Sequence, residues 1–187
     1  MTTKTVKLTI EILSYWHAGS GIGRGGDVAA LVLKDRYGLP YLPGRTVKGL
    51  LREGWQGCED LGRIPAGRTA MFFGKPSAEG DPSGVFSDAV MNHEEHEWLA
   101  HTEQAGVREA LFDRFASTSI DKKGVADDNA LRTIELAIPL TLTADITGPA
   151  GDAGWLTDLE TACVLVRGLG SHRNRGLGRC RLSIGEQ

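Results

Sequence analysis

The chain has 187 residues, of which 41% are hydrophobic and 24% charged, and its formal net charge is -3. That composition describes one globular domain with a sizeable core, or one domain carrying insertions, and excludes disorder as the default state. The opening MTTKTVKLTI has no apolar signal core, and no run approaches the roughly 20 apolar residues of a membrane span, so a cytoplasmic protein is expected. Cys58, Cys163 and Cys180 are odd in number, far apart and without CxxC spacing, and read as buried free thiols rather than a zinc site or a disulfide framework.

The first predicted element is a strand, because Val6, Leu8, Ile10 and Ile12 alternate with Lys7, Thr9 and Glu11. It runs through Trp16-His17 into the glycine-rich GSGIGRGGD of Gly19 to Asp27, and the apolar run Ala29 to Leu33 predicts a second strand. Pro43 suits the first turn of a helix, where its missing amide is not needed. Val47, Leu50, Leu51 and Trp55 follow at helical spacing, so a helix is expected from Pro43 to about Gln56, with Arg45, Lys48 and Arg52 off its apolar face. Residues 57–84, rich in Gly, Pro and Ser, read as a long irregular connection. Val85 to Val90 is a short strand candidate, and Glu94 to Phe115 reads as helical stretches interrupted at Gly106.

Strict alternation from Ile134 to Ile146 gives the strongest strand signal, with Pro139 on the opposite parity. Thr157 to Glu160 reads T-x-x-E, a capping box that opens a helix with Leu159, Ala162, Cys163 and Val166 on its buried face. Arg167 to Arg181 then reads RGLGSHRNRGLGRCR, with five arginines, four glycines, one histidine and no acid, in a chain that is acidic overall. Such a flexible loop offers close backbone approach and planar donors to a phosphate-rich ligand. Cys180, Leu182 and Ile184 form the closing strand. The order of elements predicts an α+β, ferredoxin-like (RRM-like) core in a single domain, 1–187, with a central insertion over about 57–133.

The combination HAGSGIG, DRYGLPYLPGRTVKGLLR, GVFSDA, SIDKKGVADDNALRTIE and GLGSHRNRGLGRCRL, in that order over nearly the whole chain, resembles the RAMP superfamily of CRISPR-associated RNA-binding proteins. Within it, the order and length are most similar to the backbone subunit of type III effector complexes. The resemblance implies an RRM-like core, a thumb-like β-hairpin over Ile120 to Glu135 and a glycine-rich C-terminal loop. It implies guide RNA and complementary target RNA as ligands, and other RAMP subunits and further copies of the chain as neighbours. Asp27 matches the family's target-cleaving aspartate, which implies a catalytic residue that works with Mg²⁺ or another divalent cation.

Residue by residue, His17 and Ser20 flank the first glycine motif, where they are candidates to bond a phosphate or a 2′-hydroxyl; the alternative for His17 is a strand-end histidine on a neighbouring carbonyl. Arg45, Thr46 and Lys48 combine cations with helix N-terminal amides, a phosphate-binding arrangement. His172, Arg173, Asn174 and Arg175 form the expected backbone cradle; the alternative is a surface loop whose arginines pair with carboxylates elsewhere. Asp27 could equally close an Asx turn, and Asp35 is expected to end the second strand in a turn. His93, His96 and His101 lack a metal-binding spacing and read as solvated helix side chains; Trp16 and Trp55 read as core. Two other functions stay open: a guide-processing, metal-independent endoribonuclease using His17, and a non-catalytic structural RNA-binding subunit, which the longer spacing between Asp27 and Lys34-Asp35 favours.

Overall fold

The computed structural model describes residues 2–21, 30–74, 83–117, 132–152 and 154–185. In chain order these form β1 (Thr3–Ile12), α1 (Gly44–Asp60), α2 (Arg68–Phe73), β2 (Val85–Phe86), α3 (His93–Ala100), a 3₁₀ turn (Thr102–Gln104), α4 (Ala105–Glu109), β3 (Phe112–Ser117), β4 (Arg132–Ala137), β5 (Thr141–Pro149), α5 (Gly154–Leu165), a second 3₁₀ turn (Arg173–Arg175) and β6 (Cys180–Gly185).

The alternation in β1 does what its period dictates: Val6, Leu8, Ile10 and Ile12 are buried while Lys7 and Glu11 face solvent. Each such side chain contributes about 1.5–3 kcal/mol on burial. β1 is the central strand, antiparallel to β5 from Thr3↔Pro149 to Glu11↔Thr141 and to β6 from Lys7↔Gly185 to Ile12↔Cys180. β2 adds to the far side of β5, giving the order β2-β5-β1-β6. The strand β2, within the stretch expected as insertion, therefore belongs to the main sheet.

Helices α1 and α5 pack on each other and, with the apolar face of this sheet, close the core. Their approach depends on Gly54, where a Cβ would lie 2.7 Å from Val166 Cγ2 and 2.8 Å from the Ala162 carbonyl. Phe72 of α2 is sandwiched between Trp55 and Trp155, with ring centroids 5.1 Å and 5.3 Å away. A second sheet pairs β3 with β4, from Phe112↔Ala137 to Ser117↔Arg132. Trp16 joins it to β1 by exchanging two backbone hydrogen bonds with Ala137, at 3.0 and 2.8 Å.

Several elements differ from the expectation. The long strand over 134–146 is two strands in two sheets. Pro139 has no amide to give a ladder, and the flanking groups bond elsewhere: Ile138 N–H to the Leu111 carbonyl and Ile12 N–H to the Leu140 carbonyl. The Glu94 to Phe115 stretch is α3 and α4 only as far as Glu109, after which Phe112 begins β3. Residues 57–84 contain the end of α1 and all of α2. Thr157 does not cap α5, which already starts at Gly154; its carbonyl instead accepts the Thr161 hydroxyl at 2.7 Å. Ala29 lies outside the described residues, and in the rest of the run to Leu33 Ala30 and Val32 form isolated bridges rather than a strand, because Val32 N–H donates to the Glu135 carboxylate at 3.0 Å and not to a neighbouring backbone.

The short α2 is fixed by charges from both sides. Glu59 accepts Gly67 N–H at 2.6 Å, Thr69 N–H at 2.9 Å and the Thr69 hydroxyl at 2.5 Å. Arg68 donates to Asp152 at 2.6 Å and to Asp158 at 2.7 Å. The Thr69 hydroxyl, then the two amides, hold Glu59 below the usual carboxylate range, and Arg68 does the same for Asp152. A carboxyl depressed in the folded state stabilises the fold above its unfolded pKa, and that contribution is lost as pH falls through the folded one. Glu59→Gln is therefore expected to cost about 1–2 kcal/mol at pH 7 and progressively less below about pH 4, as read from thermal melts at a series of pH values.

All three cysteines are free and buried. Burial pushes the Cys163 thiol up to about 12 and the Cys180 thiol up to about 11, so neither is ionised near neutrality. No helix among the described residues is long and apolar enough to cross a membrane.

Candidate nucleic-acid interface

The arginine-glycine stretch between α5 and β6 is not a floppy loop. Leu169 N–H donates to the Gly178 carbonyl at 2.9 Å and Cys180 N–H to the Arg167 carbonyl at 3.0 Å, which closes its base. Four more bonds pin it to the segment after β1: Ser171 N–H to the His17 carbonyl (2.9 Å), Gly178 N–H to the Tyr15 carbonyl (2.7 Å), Leu13 N–H to the Arg179 carbonyl (2.7 Å) and Arg179 N–H to Ser14 Oγ (2.9 Å). The expectation of a flexible loop is corrected by this anchoring. Glycine is required at two close approaches, one to the segment after β1 and one within the stretch itself. At Gly170, with φ +74°, a Cβ would lie 2.3 Å from the His17 carbonyl oxygen, and at Gly178, with φ +65°, 2.0 Å from that of Leu169.

At the tip, His172 takes the left-handed conformation, with φ 60°, and starts the 3₁₀ turn that exposes Arg173, Asn174 and Arg175. The five arginines of the stretch have different fates. Arg173 makes a bidentate pair with Glu53 of α1, both N–O distances being 2.8 Å, and Glu53 holds its guanidinium above the ordinary value. Arg181 reaches Glu11 at 3.3 Å. Arg167, Arg175 and Arg179 meet no carboxylate among the described residues.

Arg45 is exposed and Lys48 and Arg52 half-buried on α1, again without a carboxylate partner among the described residues. The amides of the first turn are less available than the sequence suggests. Gly44 N–H is taken by Asp88 at 2.7 Å, and Thr46 N–H bonds the Pro43 carbonyl at 2.7 Å. A phosphate at this end would meet side-chain cations more than open backbone donors. Between α1 and the glycine stretch lies a groove of about 480 Å³, lined by Leu50, Glu53, Gly54, Arg167, Arg173 and Asn174.

His17 is 4% exposed, and its Nδ1 lies 2.7 Å from the Glu135 carbonyl, the geometry of a strand-end histidine satisfying a neighbour. Ser20 bonds the Leu31 carbonyl through both its amide (3.0 Å) and its hydroxyl (3.2 Å), at the rim of the first glycine motif. Asp27 lies outside the described residues. So does most of the Ile120 to Glu135 segment, of which Arg132 to Glu135 belong to β4.

Two residues central to this region were not singled out from the sequence. Glu53 is one. The other is Glu135, whose carboxylate takes Val32 N–H at 3.0 Å and Lys34 Nζ at 2.8 Å while its backbone serves His17 and Ala30. The sequence carried a signal for neither, since each is one acid among many until the fold supplies its partner. Asp35 does close the expected turn, accepting Tyr37 N–H at 2.8 Å and Leu39 N–H at 2.9 Å. His93 is solvated, but His96 is not: it is half-buried, with Nε2 2.7 Å from Asp35 Oδ2. Trp16 and Trp55 are both fully buried. Among the described residues no three His, Cys, Asp or Glu side chains are grouped to hold a metal ion.

The RAMP superfamily model matches residues 9–181, and the chain belongs to that superfamily. Among solved structures it is similar to a chain of a type III-B Cmr-beta complex bound to cognate target RNA, with TM-score 0.75, 11% identity and coverage of 97% of both chains. It is also similar to a chain of type III-B Cmr-beta in the apo state, with TM-score 0.68, 12% identity and 96% of both chains covered. At these identities the shared property is the fold. A sequence comparison with curated proteins finds no match.

Proposed function

We propose that the chain is a guide-RNA-binding backbone subunit of a type III CRISPR ribonucleoprotein effector, a cytoplasmic complex in antiviral defence. In it the chain would contact guide RNA, complementary target RNA, other RAMP subunits and further copies of itself. The observation that carries this reading is a set of cations without carboxylate partners among the described residues, Arg167, Arg175 and Arg179, on a stretch pinned to Leu13–His17 of a RAMP chain. Arginines so arranged grip phosphates and leave sequence selection to base pairing. Ser20, Arg45, Thr46, Lys48, His172, Arg173, Asn174 and Arg175 belong to the proposed RNA surface. His17 supports it from behind, by its backbone bond to Ser171.

The finer architecture is part of the same proposal. The chain order β1-α1-β2-β5-α5-β6 and the sheet order β2-β5-β1-β6 support a ferredoxin-like core. The pair β3–β4 is suited to be the base of a thumb-like hairpin.

Cleavage of bound target through Asp27 with Mg²⁺ is supported by the family resemblance, and a divalent cation there would activate the attacking hydroxyl or stabilise the leaving oxygen. The burial of His17 and its bond to the Glu135 carbonyl speak against the metal-independent endoribonuclease.

RNA recovered with the purified protein is expected to be of discrete guide size. Binding of single-stranded RNA should weaken with salt, and Arg175→Gln with Arg179→Gln should flatten the plot of log K against log salt by about 0.7 per lost phosphate contact. Asp27→Ala should abolish Mg²⁺-dependent target cleavage and leave RNA affinity unchanged. Tight RNA binding without cleavage under any metal condition would make the chain a purely structural subunit. Affinity indifferent to salt would overturn the RNA reading itself.

A further inference from the structure

Glu53 is the acid of α1 that meets the glycine stretch, through Arg173. It follows Arg52 on α1 and precedes Gly54, the residue whose missing Cβ lets the end of α5 press against α1. That close approach sets Arg167 and the 3₁₀ turn beside Glu53, and both guanidinium nitrogens of Arg173 meet both its carboxylate oxygens at 2.8 Å. The two side chains stay in contact with water, at 40% and 61% exposure. An Arg fork accepts a carboxylate and a phosphate in the same bidentate geometry. Arg173 is thus already occupied by a group that resembles the ligand the groove is proposed to take. Arg167 and Asn174 line the same groove with no such partner among the described residues.

We infer that Glu53 is a built-in competitor for RNA phosphate, which holds the Arg173 fork closed until a polyanion seated on the neighbouring cations displaces it. This rests on the RNA-gripping reading above. An exposed ion pair is weak enough to be exchanged, and a single phosphate gains little by replacing one bidentate partner with another. A chain of phosphates already held by Arg167 and Arg175 gains a further contact once the fork is released.

The test uses the full chain and a single-stranded RNA titrated at several salt concentrations. Glu53→Gln should bind roughly two- to fivefold tighter than the parent. Its salt slope should match that of the parent, because the displaced and the removed carboxylate leave the same phosphate contacts in the complex. The gain should vanish when Arg173→Gln is added, which separates the fork from a general change in charge. Asp60→Asn, a same-charge change farther along α1 at an exposed residue bonded to Gln56, should not reproduce it. Unchanged or weaker binding by Glu53→Gln, or an equal gain in Asp60→Asn, overturns the competitor role while leaving RNA binding intact. If the parent itself binds without salt dependence, both readings fall together. Equal melting temperatures for Glu53→Gln and the parent exclude a folding artefact, and Glu53→Ala must move affinity in the same direction.

Discussion

Gly178→Ala is expected to unfold the arginine-glycine stretch. The added methyl would sit 2.0 Å from the Leu169 carbonyl oxygen, at a residue whose φ of +65° already disfavours any side chain. Left-handed backbone costs alanine about 1–2 kcal/mol, and relieving the clash would break the Leu169–Gly178 and Gly178–Tyr15 bonds. A total of about 3 kcal/mol or more follows, a drop in melting temperature of roughly 6–12 °C for a chain of this size. RNA affinity should fall with it, because Arg173, Asn174 and Arg175 lose their mounting. Gly176→Ala supplies the internal control: φ is +89° but nothing lies within 4 Å of its Cβ, so only the conformational cost applies. Equal melting curves for the two variants would show that the contact with Leu169 does not shape the stretch.

The second large effect is expected at Trp16. Its ring is fully buried, its indole N–H donates to the Ile138 carbonyl at 3.0 Å, and its backbone links β1 to β4. Trp16→Ala should cost about 3–5 kcal/mol in chemical denaturation and loosen the second sheet from the first. Trp55 is equally buried and stacks on Phe72, but its indole nitrogen has no hydrogen-bond partner among the described residues. Replacing each with phenylalanine separates the two contributions. Trp16→Phe leaves a partly buried carbonyl without this donor, at about 1 kcal/mol, whereas Trp55→Phe removes a polar group that was already unsatisfied. Trp55→Phe should therefore be the milder change.

Local pattern carried much of the main sheet. The alternation of β1, the apolar stripe of α1 and the closing strand each state their buried face within a dozen residues, because burial against one surface enforces a short period. The alternation of 134–146 is kept only in β5, where Leu142, Ala144 and Ile146 are buried; in β4 the adjacent Leu136 and Ala137 are both buried, and the chain passes from one sheet to the other at Pro139. What could not be read locally was every place where a side chain substitutes for backbone. Glu135 replaces a strand ladder at Val32, Glu59 caps α2, and Asp88 takes an amide of α1 from 44 residues away. At the site, composition identified the cationic stretch correctly as a unit. It could not show that Arg173 and Arg181 are neutralised by α1 and β1, since Glu53 and Glu11 lie more than a hundred residues earlier.

The bonds that pin Leu13–His17 to Ser171–Arg179 have a consequence for biosynthesis. During translation the early partner emerges first, and its Tyr15 and His17 carbonyls lack these donors until Ser171 and Gly178 have been made. Strand β1 meanwhile lacks β6 along one edge. The cationic surface is thus shaped only after both segments have emerged, and a nascent chain stalled before Gly178 has no means of shaping it.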